Sequence, residues 1–495
     1  MHGKVILGKS IQENPRYGAI VAQDRISRVT TAIHFGTSGW RGIIADDFTF
    51  GGVRRAAAAI ADHVREQKKS PRILVGYDTR FLSWEFARSA ASVLRERGCR
   101  VALCRDFTPT PAIAHAIPSG KFDSGVNITA SHNPAEYSGV KFSGPDGGPA
   151  LPEITKDIER RAGRLGEISP NGHEIPDDFE HIDPREPYFE QLRRLVRFNT
   201  LKSLKRGLVC DAMHGCGAGW LDRILAEHEI DVRAIRGERD VLFEGSGPDP
   251  SEGNLGALAT AVAQKNAIAG LATDGDADRF GILDGDGSFV SPNYILALIF
   301  DYLLETRGEK LGASRSVATT HLMDAVAKLH DVPIYETPVG FKYVGPLLSE
   351  GKISTGGEES AGMTVRGHVP EKDGILACLL AAEMMAARQA SLGEQLARLF
   401  KRVGREFWPL RENLHLSPET QATLPERLGR DFTEFGGRKV ADINRKDGLK
   451  LIFKNGDWLL MRPSGTEPLI RIYAETASPA ASKKLAQDAR GWIGE

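Results

Sequence analysis

The sequence has few cysteines, almost no net charge and no long apolar run. Its five cysteines form no Cys-x-x-Cys pair, so they indicate neither a disulfide framework nor a zinc site and fit a reducing compartment. The formal net charge of −1 gives no support for holding nucleic acid or an anionic membrane by bulk charge. No stretch approaches the ~20 apolar residues that span a bilayer. We therefore expect a cytoplasmic protein without a nucleic-acid or membrane partner.

Residues 1–30 do not show the pattern of a signal peptide. This stretch mixes Lys, Arg, Gln and Asn with apolar residues and lacks the apolar centre of a leader. We interpret it as an N-terminal surface extension. With 495 residues, the chain is too long for one hydrophobic core, so several domains are expected.

Strand and helix patterns alternate from residue 31 to about residue 407. Apolar, β-branched runs predict buried strands, and amphipathic stretches between them predict helices. The alternation recurs in three rounds, and it predicts three similar α/β domains with mixed or parallel sheets. The opening strands are predicted at 72–76, 208–210 and 316–320. The predicted domain bounds are 31–198, 199–298 and 299–407.

From residue 408 the pattern changes. Two apolar runs at 449–453 and 457–461 flank an Asn-Gly pair, which is a strong hairpin signal. A predicted strand and helix follow, so 408–495 is predicted to be a small α+β domain. In open α/β sheets, ligands bind beyond the carboxyl ends of the strands. We therefore expect the polar loops of the three α/β domains to face one central cleft.

A serine follows a short buried strand that is predicted at 124–128. Ser131 lies in the sequence TASHNP, where the proline stiffens the turn by restricting the residue before it. A serine at the carboxyl end of a strand is a candidate nucleophile, although a turn serine bonded to its own backbone fits the same pattern. Lys141 lies within reach of this turn, and Arg41 lies in the glycine-rich stretch GTSGWRG, which could approach a phosphate.

Three aspartates alternate along another predicted loop. Asp274, Asp276 and Asp278 follow an apolar strand, so an acidic surface turn is poorly supported. Carboxylates this close repel one another unless a cation lies between them, and hard cations take several oxygen ligands. An EF-hand is excluded because its required glycine and glutamate positions fall on Arg279 and Gly285. The spacing therefore predicts a Mg²⁺ site with positions left open for phosphate oxygens.

Two further loops carry groups suited to a phosphorylated sugar. In Gly357-Glu358-Glu359-Ser360, the carboxylate and the hydroxyl two residues apart could bind neighbouring sugar hydroxyls; a glutamate pair in a surface loop is the alternative. The turn after the hairpin offers a guanidinium, hydroxyls and backbone N–H groups to a phosphate dianion, although a surface turn is again the alternative. Its candidate ligands are Arg462, Ser464, Gly465 and Thr466, with Arg471 on the next predicted strand.

These motifs occur together in one known family. They are TASHNP (129–134), DGDADR (274–279), GEES (357–360) and RPSGTEP (462–468), with GTSGWRG (36–42) in support. In this order and at these intervals, the chain resembles the α-D-phosphohexomutase family, which includes phosphoglucomutases and phosphomannomutases, from about residue 33 to residue 495. The resemblance implies four domains around a central cleft and a phosphosugar substrate.

The resemblance also implies a role for each matched residue. Ser131 would be a phosphoserine, and one of its oxygens would bind Mg²⁺ together with Asp274, Asp276 and Asp278. Arg41, His132 and Lys141 would lie near the transferred phosphoryl group, with Lys141 a candidate general base. The implied substrate-binding residues are Arg279, Gly357, Glu358, Ser360, Lys342 and Lys372. The implied ligands of the phosphate that does not react are Arg462, Ser464, Gly465 and Thr466, with Arg471 nearby.

The reaction that the resemblance implies is the movement of a phosphoryl group within one sugar. Phosphoserine gives its phosphoryl group to O6 of a hexose 1-phosphate, and the 1,6-bisphosphate then returns the phosphoryl group from O1. Glu359 and Gly362 stand where dual-specificity members tend to carry methionine and histidine, and 337–342 and 371–374 look like glucose-type members. We therefore expect a phosphoglucomutase that uses Mg²⁺ and glucose 1,6-bisphosphate, as a monomer or homodimer.

Four alternatives to this reading stay open. The first is a phosphomannomutase or dual-specificity mutase, and the second, less favoured, is a phosphoglucosamine mutase, because the glutamine typical of its sugar loop is absent. The third is a non-catalytic sugar-phosphate sensor. The fourth is a metal-dependent phosphatase that releases phosphate without forming an isomer.

Overall fold

The computed structural model describes residues 32–36, 39–168, 178–464 and 468–494. The extension expected at 1–30 lies outside these residues. Within them, four sheets with their helices follow one another along the chain.

The first unit is built on a seven-stranded sheet. Its strands are β1 (Phe35–Gly36), β2 (Gly39–Ile43), β3 (Arg72–Tyr77), β4 (Arg100–Cys104), β5 (Ser124–Ile128), β6 (Tyr137–Ser143) and β7 (Glu180–Ile182). Its helices are α1 (Phe50–Gln67), α2 (Ser83–Glu96), α3 (Thr110–Ser119), α4 (Pro152–Arg164), α5 (Arg185–Leu195) and α6 (Phe198–Leu201). The alanine-rich face of α1 is buried in the same core cluster as β3 and β5, whereas α5 and α6 pack in the core of the units that follow.

The second and third units have smaller sheets. The second contains β8 (Leu208–Asp211), α7 (Leu221–Glu227), β9 (Val232–Ile235), α8 (Gly256–Lys265), β10 (Ala269–Thr273), β11 (Phe280–Asp284) and β12 (Phe289–Val290). The third contains α9 (Pro292–Arg307), β13 (Gly312–Ser316), α10 (Leu322–Leu329), β14 (Ile334–Thr337), α11 (Val344–Ser349), β15 (Ile353–Glu358), β16 (Gly362–Val365), α12 (Gly374–Arg388) and α13 (Leu392–Val403).

The fourth unit is antiparallel. It contains β17 (Trp408–His415), α14 (Pro418–Leu428), β18 (Glu434–Phe435), β19 (Arg438–Asn444), β20 (Leu449–Phe453), β21 (Trp458–Pro463), β22 (Leu469–Thr476) and α15 (Pro479–Ile493). Its strand order is β17-β22-β21-β20-β19-β18, and β20 and β21 form the hairpin expected from the Asn-Gly pair. The predicted change to an α+β unit is confirmed.

The first three units share one strand arrangement. In each, a central strand (β3, β8 or β13) pairs in parallel with one neighbour (β4, β9 or β14) and with another (β5, β10 or β15). The latter strand then turns into an antiparallel partner (β6, β11 or β16). The predicted three similar α/β units are confirmed, and the loops that carry TASHNP, DGDADR and GEES are equivalent connections within them.

The opening strand of the third unit differs from the prediction. It was expected at 316–320, but β13 ends at Ser316 and the following residues form a turn. The Ser316 Oγ accepts from the Ala318 N–H, and Thr320 Oγ1 accepts from the Leu322 N–H. Hydroxyl side chains bonded to nearby backbone compete with a strand ladder, which explains the early end of β13.

Among the described residues, no single helix is long and apolar enough to cross a membrane. Helices α12 and α13 meet that test only as a pair, bent by 76°. Most of α12 is buried in the core that the second and third units share.

Gly374, the first residue of α12, is pressed against the loop that carries the three aspartates. A Cβ at this position would lie 2.2 Å from the carbonyl oxygen of Arg279. We expect Gly374→Ala to cost about 1–3 kcal/mol and to lower the thermal unfolding midpoint, measured by tryptophan fluorescence. Gly163→Ala in α4 is the control, because no heavy atom lies within 4 Å of its Cβ and alanine favours the helix. A Gly374→Ala midpoint at or above that of the unaltered protein would contradict this packing.

Candidate active site

Ser131 lies in the connection between β5 and β6. Its backbone φ of 56° is left-handed, which is uncommon for serine, and its N–H donates to Thr129 Oγ1 at 2.9 Å. The Ser131 Oγ donates a hydrogen bond to Asp274 Oδ2 at 2.7 Å. The serine of the first unit and the aspartate loop of the second therefore meet at one buried contact.

A second contact aligns the same two loops. Thr110, at the start of α3, donates its N–H to the Asp276 carbonyl oxygen at 2.9 Å and its hydroxyl to Asp276 Oδ2 at 2.5 Å. The Asn127 side chain donates to the Thr110 hydroxyl at 2.8 Å. Because Asn127 lies on β5, the strand that leads to Ser131, this chain of hydrogen bonds links the serine strand to the aspartate loop.

The three aspartates are fully buried and close together. Asp274, Asp276 and Asp278 each offer a carboxylate oxygen, and these oxygens lie within 4.8 Å of one another. Among the described residues, Asp276 Oδ1 and Asp278 Oδ1 have no hydrogen-bond partner. Buried carboxylate oxygens without donors are suited to a hard cation, so these residues fit the predicted Mg²⁺.

Two lysines lie against the other oxygens of this cluster. Lys141 Nζ donates to Asp276 Oδ2 at 2.5 Å and to Asp278 Oδ2 at 2.6 Å. Lys372 Nζ also donates to Asp278 Oδ2. Lys141 comes from β6 of the first unit and Lys372 from the segment before α12 of the third. Three units therefore contribute charges to one buried cluster.

The pKa values of the aspartates move in opposite directions. Burial raises the pKa of Asp274 well above its usual range, and the charges of Asp276 and Asp278 raise it further. Burial acts in the same direction on Asp276 and Asp278, but the two lysines outweigh it and lower both pKa values. The cluster thus holds two firmly ionised carboxylates and a third that binds a proton more readily, beside Ser131.

Lys141 is held as an ammonium ion in this arrangement. Burial acts to lower its pKa, but Asp276 and Asp278 outweigh burial and raise it. A charged lysine stabilises developing negative charge, whereas a general base must first lose its proton. The contacts therefore favour electrostatic stabilisation by Lys141 as long as both carboxylates face it.

His132 lies next to the serine, and Arg41 contacts Asn133, two residues after the serine. Arg41 donates to Asn133 Oδ1 at 2.5 Å, and burial together with Arg279 lowers its pKa to about 10. His132 Nδ1 lies 3.4 Å from Ser131 Oγ, and burial lowers the pKa of its imidazole well below the usual value. His132 is therefore neutral near pH 7, while Arg41 keeps its charge.

Arg279 closes the aspartate loop. Its N–H donates to Asp274 Oδ1 at 2.9 Å, and its Nε lies 4.0 Å from Asp278 Oδ1. The same side chain contributes to the lowered pKa values of Arg41 and His132. Arg279 thus adds positive charge on the side of the serine loop.

The sugar-loop candidates lie at the end of β15. Glu358 Oε1 accepts from the Gly340 N–H at 2.6 Å, and Ser360 is half-buried two residues further on. Burial, together with the charge of Glu359, raises the pKa of Glu358 to about 7. Gly357 has a packing role, because a Cβ there would lie 2.3 Å from a methyl carbon of Leu296.

The phosphate-loop candidates follow β21. Arg462 Nε donates to Asp447 Oδ2 at 2.8 Å, and Asp447 Oδ2 also accepts from the Val339 N–H at 2.9 Å. Asp447 therefore ties Arg462 to the third unit. Arg462 and Arg471 are directly opposite on β21 and β22, and the Ser464 N–H donates to the carbonyl oxygen of Leu469. Gly465 and Thr466 lie outside the described residues.

Lys342 lies in the segment that Asp447 contacts. It is half-buried, its Nζ lies 5.6 Å from the centroid of the Tyr343 ring, and burial together with Lys156 lowers its pKa. The structure thus brings Ser131 and Lys372 to one cluster of aspartates, the serine through Asp274 and the lysine through Asp278. Arg462 lies apart from it at Asp447, which also bonds to Val339, three residues before Lys342.

Comparison with known proteins agrees with this geometry. Models of phosphoglucomutase/phosphomannomutase domains I, II and III and of the C-terminal domain match residues 32–168, 186–287, 291–403 and 419–491. The chain belongs to the phosphoglucomutase/phosphomannomutase family. Members of this family are phosphohexomutases, enzymes that isomerise sugar phosphates by phosphoryl transfer, and they depend on Mg²⁺.

Individual relatives cover nearly the whole chain. A phosphoglucomutase of Komagataeibacter xylinus is 31% identical over 92% of this chain and 90% of that protein. A phosphoglucosamine mutase of Thermobifida fusca is 31% identical over 91% of this chain and 96% of that protein. A crystal structure of a Thermus thermophilus protein assigned as a phosphomannomutase is 33% identical, has a TM-score of 0.82 and covers 94% of this chain and 100% of its own. The similarity thus establishes that the chain is a phosphohexomutase, and it does not single out one sugar substrate.

Two residues of the candidate site were not identified from the sequence motifs. Thr110 and Asp447 belong to none of the family motifs, yet one aligns the aspartate loop and the other holds Arg462. Thr110 follows the carboxyl end of β4, a parallel strand, and ligands bind beyond the carboxyl ends of such strands; this position is the only signal that the sequence offers. Asp447 lies in a turn before β20, where the sequence alone marks no partner.

The metal site can be tested by removing one of its carboxylates. We expect Asp278→Asn to weaken Mg²⁺ binding at least about tenfold, a loss of about 1.4 kcal/mol, because one ionised donor is lost. Isothermal titration of Mg²⁺ into the phosphohexomutase measures it. Asp301→Asn is the control: Asp301 also lies in a cluster of potential ligands, with Glu305 and His330, but Arg388 and Arg402 already pair with it. Equal Mg²⁺ affinity in Asp278→Asn and the unaltered enzyme would contradict the site.

The raised pKa of Glu358 predicts a pH dependence of stability. Since the ordinary pKa is 4.5 and the folded value is about 7, the native state holds a proton that the unfolded state loses in this window. Stability should therefore fall as pH rises from about 4.5 to 7, by up to about 3 kcal/mol. Glu358→Gln should make this fall in stability shallower in thermal unfolding scans, whereas Glu434→Gln, at an exposed residue, should leave it unchanged. Parallel pH profiles for Glu358→Gln and the unaltered protein would refute the burial effect.

Proposed function

We propose that this phosphohexomutase interconverts glucose 1-phosphate and glucose 6-phosphate through a phosphoserine at Ser131 and a glucose 1,6-bisphosphate intermediate. The observation that carries the proposal is the 2.7 Å hydrogen bond from Ser131 Oγ to Asp274 Oδ2. This bond joins the serine oxygen to one of three buried carboxylates whose chemistry fits Mg²⁺. The family gives the reaction class, and the residues around Ser131 support the individual steps.

The proposed first step breaks the bond between phosphorus and the Ser131 Oγ and forms one to O6 of the hexose 1-phosphate. The O6 hydroxyl gives up its proton and the Ser131 Oγ takes one up, which leaves a serine hydroxyl and the 1,6-bisphosphate. In the second step the bond between phosphorus and O1 breaks, a bond to the Ser131 Oγ forms, and the serine proton passes to O1, which leaves the hexose 6-phosphate and the phosphoserine. Lys141, which contacts the aspartate cluster, and Arg41, which contacts Asn133, are charged and would offset charge on the transferred group. When bound, Mg²⁺ would supply Lewis-acid stabilisation of phosphoryl oxygens, held by Asp274, Asp276, Asp278 and an oxygen of the phosphoserine.

The other two loops would bind the parts of the substrate that do not react. Glu358 and Ser360 are proposed to bind two neighbouring sugar hydroxyls, and Arg462, Ser464, Gly465 and Thr466 to hold the remote phosphate. Arg471, Lys342 and Arg279 would add positive charge. The same phosphate-binding residues can serve both orientations of the bisphosphate. The reason is that the hydroxyls bound by Glu358 and Ser360 lie between the two phosphates, so either phosphate can take the remote position.

The choice of glucose is supported by Gly362. A Cβ at this residue would lie 2.3 Å from Cδ of Lys372, so the stem of Lys372 occupies the space that a histidine side chain would need. Lys372 in turn contacts Asp278. The chain thus has a glycine where dual-specificity members tend to carry histidine. This glycine leaves room for Lys372, which extends to the aspartate cluster.

The reaction and the sugar can be tested together. We expect conversion of glucose 1-phosphate with Mg²⁺ and a trace of glucose 1,6-bisphosphate to be at least about tenfold faster, in kcat/KM, than conversion of mannose or glucosamine 1-phosphate. Ser131→Ala should lose at least about a thousandfold in kcat. Ser124→Ala is the matched control. Ser124 lies on β5 and is buried like Ser131, but its hydroxyl has no hydrogen-bond partner among the described residues.

Each other outcome points to a different function. Faster turnover of mannose or glucosamine phosphate would keep the chemistry and replace the sugar. Steady release of inorganic phosphate without isomer would indicate a phosphatase. Binding of hexose phosphates without turnover of any would indicate a sensor.

A further inference from the structure

Arg80 is a fully buried arginine that none of the catalytic motifs contains. It lies in the turn between β3 and α2 and has 0% of its surface exposed. A guanidinium has five N–H donors and no acceptor, so complete burial requires a partner for each donor. Arginine is almost never buried without such partners.

All five donors of Arg80 are used, and four of them bond to backbone carbonyl groups of residues 131–137, the segment that carries the serine. Its Nε donates to Asp78 Oδ2 at 3.1 Å. One terminal nitrogen donates to the carbonyl oxygens of Ser131 and Asn133 at 2.7 and 2.6 Å. The other donates to those of Pro134 and Tyr137 at 2.7 and 3.0 Å. One side chain thus bonds four carbonyl groups in the connection that carries the serine.

These four bonds explain how Ser131 keeps an unfavourable backbone conformation. A left-handed serine persists only where its surroundings determine it, and the carbonyl of Ser131 itself is one of the four acceptors. With its backbone held there, the Ser131 Oγ reaches Asp274 at 2.7 Å.

The second unit covers Arg80 from the other side. The ring of Phe243 lies 5.1 Å from the guanidinium carbon. Arg239 donates to the carbonyl oxygens of Thr79 and Arg80 at 2.8 and 3.1 Å. The second unit also carries the aspartate loop. Arg80 therefore lies at the contact between the two units that bring Ser131 and Asp274 together.

We propose that Arg80 is the positioning residue for the nucleophile: it sets the Ser131 loop so that the serine oxygen faces the aspartate cluster, without touching the substrate. This inference rests on the proposed function. A displacement of a reacting group by about 1 Å can lower the rate a hundredfold. We therefore expect the loss of Arg80 to slow the phosphoryl-transfer step. Sugar and remote phosphate are bound by other loops and should not be affected.

The test is Arg80→Lys, which keeps the charge but cannot provide the planar set of five donors. We expect kcat to fall about a hundredfold while KM changes less than about threefold. Transfer of phosphoryl from glucose 1,6-bisphosphate to Ser131, followed by intact-protein mass spectrometry, should slow by the same factor. Mg²⁺ affinity should be unchanged.

Arg307→Lys is the matched control. Arg307 donates to both carboxylate oxygens of the buried Glu383 at 3.1 Å, and it lies at the end of α9, outside the site. It should lose stability, as Arg80→Lys does, but keep kcat. Arg239→Met provides a second test that is expected to fold, because Arg239 is exposed; it should lower kcat several-fold with KM unchanged.

The outcomes separate this inference from the proposed function. If the unaltered protein turns over no hexose phosphate, the proposed function fails. If it does turn over and Arg80→Lys keeps kcat within threefold, or raises KM and lowers Mg²⁺ affinity in step with kcat, the positioning role is overturned. If Arg80→Lys does not fold, an unchanged kcat in Arg239→Met overturns it, and a reduced kcat with unchanged KM supports it.

Discussion

The structure around the site depends on the mutual repulsion of three buried carboxylates. Asp274, Asp276 and Asp278 lie out of water, where like charges are far more costly than at a surface. Lys141 pairs with Asp276 and Asp278, and Lys372 pairs with Asp278, which lowers this cost. Since the two lysines come from the first and third units and the aspartates from the second, the charge balance of the cluster is also a force that joins three units.

The common strand arrangement explains why three loops can meet. Each functional loop connects a parallel strand to an antiparallel partner at the same end of its sheet. Because one topology is repeated, the same edge of the sheet occurs three times. Different residues on that edge supply the proposed nucleophile, the candidate cation site and the proposed sugar-binding pair. Function differs among the units because the loops differ, while the sheets that carry them are alike.

The fourth unit joins the third through a buried polar cluster. Lys450 on β20 donates to the Val317 carbonyl oxygen at 2.7 Å and to Glu336 at 2.9 Å, and its Nζ lies 4.5 Å from the centroid of the Trp458 ring. Burial, together with the charge of Arg315, lowers the pKa of Lys450 to about 8. A buried charge with this many partners is costly to separate from them, so the unit that carries Arg462 is held in a defined place beside the sugar loop.

Much of the fold and of the site could be predicted from sequence because the informative residues are neighbours along the chain. The β-branched run at 124–128 became β5, the Asn-Gly pair became a hairpin, and the alternating aspartates formed a single buried cluster. The opening strand of the third unit was misplaced because hydroxyl side chains near Ser316 bond locally, a competition that apolar patterns do not reveal.

What the sequence by itself determined is the set of reactive groups and their family. Each motif is a short contiguous run, so its spacing is visible without a fold. Only the tertiary structure decided which residues from distant parts of the chain contact these reactive groups. Arg80 lies 51 residues from Ser131 and Lys372 lies 94 residues from Asp278. Such contacts arise from the packing of whole units, and no local pattern encodes them.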